Sequence, residues 1–96
     1  MVPVNIQTVE GKQKADIMLY ALSTCGWCKK TKEYLRELGV AYRYVFVDTL
    51  SEPDKSEAVA AITAWNPDCS FPTIVIDNNR CIVGFNAEEL KKIAGK

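Results

Sequence analysis

The apolar run Ile17-Met18-Leu19-Tyr20-Ala21 leads through Leu22-Ser23-Thr24 into Cys25-Gly26-Trp27-Cys28, and a helical pattern starts there. Nearly continuous apolar character marks a central strand buried on both faces. A strand of that kind needs covering layers on each side, which narrows the chain to an α/β arrangement. Two thiols two residues apart, set between such a strand and a helix, form a small ring that can close as a disulfide and reopen.

Ninety-six residues are expected to make one domain, 1–96, with residues 1–14 as an N-terminal extension. Nearly half of them are apolar, enough for one modest core. Lys and Arg number 12 and so do Asp and Glu, which gives no reason to expect a nucleic-acid or membrane partner. Histidine is absent, and with it Cys–His and Ser–His catalysis and every His-ligated metal site. No apolar run approaches bilayer length. The start, Met1-Val2-Pro3-Val4-Asn5, does not read as a signal peptide, so a cytoplasmic location is expected. A monomer is expected as well. Four cysteines in a reducing compartment point to chemistry or metal before structural staples.

Along the chain, Asn5–Val9 alternates weakly and suggests an extra strand, with Glu10-Gly11-Lys12 as its turn. Asp16–Ala21 reads as a strand and Gly26–Leu38 as an amphipathic helix, with Cys28, Thr31, Leu35 and Leu38 on one stripe and Gly39 as a left-handed stop. Ala41–Val47 alternates aromatic and β-branched residues, as a strand does; Tyr42, Tyr44 and Phe46 should pack on a helix. Ser51 is expected to cap a second helix, with Asp54 reciprocating, Ala58, Val59, Ile62 and Trp65 buried, and Asn66-Pro67 ending it. Pro72–Ile76 and Arg80–Val83 form a hairpin about Asp77-Asn78-Asn79-Arg80, and Asn86 caps a last helix with Glu89 three residues on. The order is β–α–β–α–β–β–α, a mixed four-stranded sheet flanked by three helices, with the extra strand leading.

The attacking species in thiol–disulfide exchange is a thiolate. Cys25 falls at a helix start, where unpaired N–H groups and the helix dipole favour an anion, and Lys29 and Lys30 add positive charge there. Cys25 is therefore expected to attack, and Cys28, one turn deeper, to resolve the mixed disulfide. Trp27 points outward in this register, either packing on the loop or offering an aromatic contact to a partner. Pro72 opens an apolar strand; with a dithiol motif upstream, a cis Phe71–Pro72 bond beside the cysteines is the favoured reading.

The segments Tyr20–Cys28, Phe71-Pro72-Thr73 and Val83-Gly84-Phe85 resemble the three site-forming elements of the glutaredoxin family, and the resemblance runs from Asp16 onward. It implies a thioredoxin-like fold, Cys25 as nucleophile, Cys28 as resolver, and a cis Pro72. It also implies substrate contacts at Thr24, Gly26, Trp27, Phe71, Pro72, Thr73, Gly84 and Phe85. Two departures stand out. Leu22 occupies a place that is basic in typical glutaredoxins, and Gly84-Phe85-Asn86 replaces a Gly-Gly pair followed by an aspartate that holds glutathione. Gly-Phe before a helix is more similar to the NrdH-redoxin branch, which implies ribonucleotide reductase as a substrate and thioredoxin reductase as the electron donor. Glutathione or another small thiol remains the alternative donor and co-substrate.

No resident cofactor is expected. Zinc is disfavoured because only one cysteine pair is close, and Cys69 and Cys81 read as small packing residues, with a regulatory role for Cys69 as the sharper alternative. An iron–sulfur cluster bridging two copies through Cys25 is the rival chemistry, and a non-catalytic binding module is the rival class. Retention of both thiols favours a dithiol–disulfide oxidoreductase.

Overall fold

A computed structural model describes residues 6–95. Strands β1 (Gln7–Val9), β2 (Ile17–Ala21), β3 (Tyr42–Phe46), β4 (Thr73–Ile76) and β5 (Arg80–Val83) form one sheet in the order β1-β3-β2-β4-β5. Helices α1 (Gly26–Leu38), α2 (Asp54–Trp65) and α3 (Ala87–Ile93) cover it. β2 pairs parallel with β3, and α1 supplies the crossover that such pairing requires. The β1–β3, β2–β4 and β4–β5 pairs are antiparallel. This is the expected thioredoxin-like arrangement with its extra N-terminal strand. The part of that expected strand at Asn5 lies outside the described residues.

Alternation along the strands sorts the core into two layers. Ile17, Leu19, Ala21, Ile74, Ile76 and Ile82 face α1 and α3, where Cys28, Leu35, Leu38 and Leu90 meet them. Met18, Val45 and Val75 face the other way and pack against Ala58 and Ile62 of α2. Burying Leu35 and Ile62 stabilises the fold by roughly 1.5–3 kcal/mol each. Tyr42, Tyr44 and Phe46 belong to the α1 layer, as their alternation predicts.

Two glycines are used for their geometry. Gly39 ends α1 at φ 73°, and its N–H bonds the carbonyl of Arg36. Gly11 brings the β1–β2 connection against the end of α1: a Cβ there would lie 2.6 Å from the Val40 carbonyl carbon. That closeness accompanies the Lys12–Val40 bridge, in which Lys12 N–H donates to Gly39 O at 2.9 Å and Ala41 N–H to Lys12 O at 2.8 Å.

Several local expectations need correction. β3 stops at Phe46, and Val47–Thr49 is a 3-10 turn. Ser51 does not cap α2 with its side chain. Pro53 holds the N-cap position without a side-chain bond, and the Glu52 carboxylate accepts from Ser56 N–H at 2.8 Å and Ser56 Oγ–H at 2.6 Å. A carboxylate satisfies an orphan N–H as well as a serine hydroxyl does, and here the longer side chain reaches it. Val59 is exposed, because α2 meets the sheet along the narrower Ala58–Ile62 stripe. In the β4–β5 turn, Asp77 and Asn78 take positive φ, and Asn79 N–H closes the turn on Ile76 O at 3.0 Å. Asn86 caps α3 as expected, its Oδ1 accepting from Glu89 N–H at 3.2 Å.

Candidate active site

Strand register gathers the site at one end of the sheet. Ala21, the last residue of β2, is opposite Phe46, the last of β3, so the loop to Cys25 and the turn at Asp48 emerge side by side. Tyr20 is opposite Thr73, which places Pro72 beside the end of β2. Thr73 is in turn opposite Val83, and Gly84 N–H donates to Pro72 O at 2.8 Å. Cys25, Asp48, Pro72 and Gly84 thus converge from four separate strand ends. The Phe71–Pro72 bond is cis. Pro72 and Thr73 are buried and Phe71 is half-buried.

Cys25 is the N-cap residue of α1. Its sulfur accepts a hydrogen bond from Cys28 N–H at 3.2 Å, and its own N–H reaches Leu22 O at 3.2 Å. A sulfur in this place meets one of the donors that a helix leaves unpaired at its start. No acidic residue lies in the first turn of α1 to oppose negative charge. Cys25 is half-buried, whereas Cys28 is 0% exposed. Burial pushes the Cys28 thiol up to about 12, helped by its hydrogen bond to the Cys25 side chain and by the charges of Cys25 and Asp48; a backbone bond with Leu22 acts against them. All four cysteines are free thiols, so this is the dithiol form.

Two residues that the sequence reading did not single out shape the site. The Asp48 carboxylate accepts from Ser23 N–H at 2.9 Å and Ser23 Oγ–H at 2.6 Å, tying the loop before Cys25 to the end of β3. Those bonds hold Asp48 below the usual carboxylate range. Asn66 is buried after α2, and its Nδ2 donates to Ser70 Oγ at 3.0 Å and Thr73 Oγ1 at 3.2 Å. Thr73 Oγ1–H donates to Ser70 O at 2.7 Å. This knot fixes the Ser70–Thr73 loop that carries Pro72. Asn66 had been legible only as a helix stop; an amide two places before an aspartate and four before a serine was the available signal.

The remaining expected residues divide. Trp27 is 59% exposed and stacks on Phe85 with ring centroids 6.0 Å apart, so it both packs and offers surface. Tyr34 meets the Phe85 edge at 5.6 Å. Lys30 Nζ stands 5.3 Å from the Trp27 ring centroid and 5.7 Å from that of Phe85. Lys29 turns elsewhere, into a groove of about 380 Å³ lined with Lys32, Arg36, Tyr42 and Tyr44. The two lysines therefore do not act as one patch. Thr24 and Gly26 are exposed beside the cysteines, and an added Cβ at Gly26 would meet no atom within 4 Å. Leu22 packs with the α2-side core, and the Asn86 side chain is engaged in capping α3.

Cys69 and Cys81 both pack on the α2-side cluster and are half-buried. Cys81 Sγ–H donates to Trp65 O at 3.3 Å, and Cys69 N–H donates to Asn66 O at 2.8 Å. Among the described residues, no three Cys, Asp or Glu side chains gather into a metal-holding group. No described helix is long and apolar enough to cross a membrane. Another cavity, of about 520 Å³, lies between α2 and the sheet against Met18, Tyr20 and Trp65, on the sheet face away from the dithiol.

The glutaredoxin family model matches residues 17–82. A curated relative, an uncharacterized glutaredoxin-like 8.6 kDa protein in the rubredoxin operon of Clostridium pasteurianum, is 39% identical over 80 residues, covering 83% of this chain and 99% of that protein. The crystal structure of the glutaredoxin from Methanosarcina mazei Go1 superposes with a TM-score of 0.88 at 41% identity, covering 96% of this chain and 89% of that one. Methanosarcina acetivorans methanoredoxin superposes with a TM-score of 0.86 at 44% identity, covering 90% of each chain. These likenesses establish that the chain belongs to the glutaredoxin family, within the thioredoxin-like superfamily.

Proposed function

We propose that this glutaredoxin-family protein is a dithiol–disulfide oxidoreductase that reduces disulfides of polypeptides or small molecules through Cys25 and Cys28. The observation that carries the reading is the asymmetry of the pair. One sulfur is half-exposed and accepts a helix-start N–H, and the other is buried and held as a neutral thiol.

The Cys25 thiolate attacks one sulfur of the substrate disulfide. That S–S bond breaks, a Cys25–substrate disulfide forms, and the departing thiolate takes up a proton. With Cys25 bonded to substrate, its charge and its hydrogen bond no longer hold Cys28 neutral; burial and Asp48 are the remaining causes that do. Cys28 then ionises more readily, attacks Cys25 Sγ and releases the second substrate thiolate, which takes the proton. Two electrons and two protons have passed to the substrate, and the protein holds a Cys25–Cys28 disulfide. Glutathione, another small thiol or a reductase of the thioredoxin reductase class returns the two electrons. The chemistry needs no resident cofactor and suits a thiol-reducing compartment such as the cytoplasm.

Phe71-Pro72-Thr73 supports docking of an extended segment, because the loop is fixed by the Asn66 knot and lies beside the motif. By the family resemblance, ribonucleotide reductase is one candidate substrate. The test is turnover of 2-hydroxyethyl disulfide with each donor in turn. Wild-type protein is expected to turn over and the Cys25→Ser variant to be inactive; full activity of that variant would overturn the assignment.

A further inference from the structure

We propose that Lys30, with the Trp27 and Phe85 rings, forms a recognition site for an acidic residue flanking the disulfide of a polypeptide substrate. The inference rests on the oxidoreductase reading and names its substrate preference. Trp27 belongs to the dithiol turn, and Phe85 follows the Gly84 that hydrogen-bonds Pro72. Their stack therefore bridges the two elements that would meet the substrate. Lys30 Nζ sits against both rings, which fixes a cation beside the motif. Lys30 takes part in none of the ion pairs among the described residues: Asp16 is held by Arg43, and Glu89 by Arg80 and Lys92. The first turn of α1 carries no acid. On the neighbouring helix, Glu88 is the exposed acidic side chain.

A polypeptide occupant follows from shape. At the dithiol end Trp27 is exposed and stacked on Phe85, an open aromatic surface of the kind that a polypeptide segment covers. An ammonium over aromatic rings keeps hydrogen-bond donors free for a carboxylate, and an acidic side chain next to the substrate cysteine completes the charge pair.

The test uses three cystine-linked peptides that differ only in the residue beside cysteine: Glu, Gln or Lys. An exposed charge pair changes binding by at most a few fold, and screening weakens it. Wild-type protein is expected to show a Glu-to-Lys ratio in kcat/KM of about five at low ionic strength, falling toward one at about 0.5 M salt. Lys30→Glu should invert the ratio and Lys30→Arg should preserve it. Lys32→Gln removes an equal charge from the same helix, where the ammonium lies 3.9 Å from the Tyr44 ring centroid, and should leave the ratio unchanged. Equal rates for the three peptides, or an unchanged ratio in Lys30→Glu, would overturn the proposal while leaving the oxidoreductase reading intact. Dependence on Lys30 for dithiodipropionate but not for the peptides would overturn the polypeptide assignment. Failure to reduce even the Gln peptide or 2-hydroxyethyl disulfide would overturn the oxidoreductase reading itself.

Discussion

Replacing Asn66 by alanine tests how the fold holds its proline loop. The amide donates to Ser70 Oγ at 3.0 Å and Thr73 Oγ1 at 3.2 Å, and its Oδ1 accepts from Asp68 N–H at 3.3 Å. Alanine removes these three, together with a longer contact from Nδ2 to Ser70 O at 3.4 Å, while Thr73 keeps its own bond to Ser70 O. At roughly 0.5–1.5 kcal/mol net per bond, the loss of three is about 1.5–4.5 kcal/mol. For a chain of this length that lowers Tm by about 6–36 °C. Urea unfolding of the reduced protein measures the stability directly. A second readout separates loop positioning from general weakening. KM for a peptide disulfide should rise, while alkylation of Cys25 by iodoacetamide keeps its rate, since α1 is untouched. A loss below about 0.5 kcal/mol with unchanged KM would refute the claim that this knot holds the loop.

Four further outcomes follow from the same geometry. With its thiol pushed up to about 12, Cys28 should be thiolate in only about one molecule in 10⁵ at pH 7, so iodoacetamide should label Cys25 first; equal labelling of the two would contradict the burial argument. Because that value is raised above the unfolded one, Cys28 stabilises the reduced fold fully below about pH 9, and this is lost as pH climbs toward about 12; urea midpoints of Cys28→Ala should fall less steeply over that window than wild type. Asp48→Asn removes a charge that disfavours Cys28 ionisation, so alkylation of Cys28 at alkaline pH should quicken; no change would remove Asp48 from the electrostatics of the pair. Gly39→Ala places a side chain at φ 73° with no atom to clash against, and should destabilise by about 1 kcal/mol in urea unfolding; a neutral result would mean the α1 stop can relax.

The central strand and α1 were legible because their patterns are strong. Five apolar residues in a row and a Cys28-Thr31-Leu35-Leu38 stripe leave little choice of period; the stripe is buried as expected, and so is the strand except for Tyr20, which is half-buried. The α2 start was misread because Ser51 and Asp54 matched a capping pattern that Glu52 satisfied from a neighbouring position. Local propensity cannot rank two acceptors that differ only in reach. Val59 was misplaced because alanine-rich α2 carries no sharp stripe, so only the sheet decides which residues it covers. Within the site, the spacing of Cys25 and Cys28 was readable, but the partnership of Asp48 with Ser23 spans 25 residues and depends on strand register. Lys29 and Lys30 looked equivalent as neighbours in sequence; their separation follows from helical rotation, which lays Lys30 over the aromatic stack and Lys29 along the groove.

The role assigned to Cys25 is tested most directly by intact and peptide mass spectrometry of Cys28→Ser after reaction with a cystine-linked peptide. With the buried resolver gone, one substrate half should remain bonded to the protein through Cys25 alone. Absence of any adduct, or an adduct carried by Cys69 or Cys81 instead, would contradict the account.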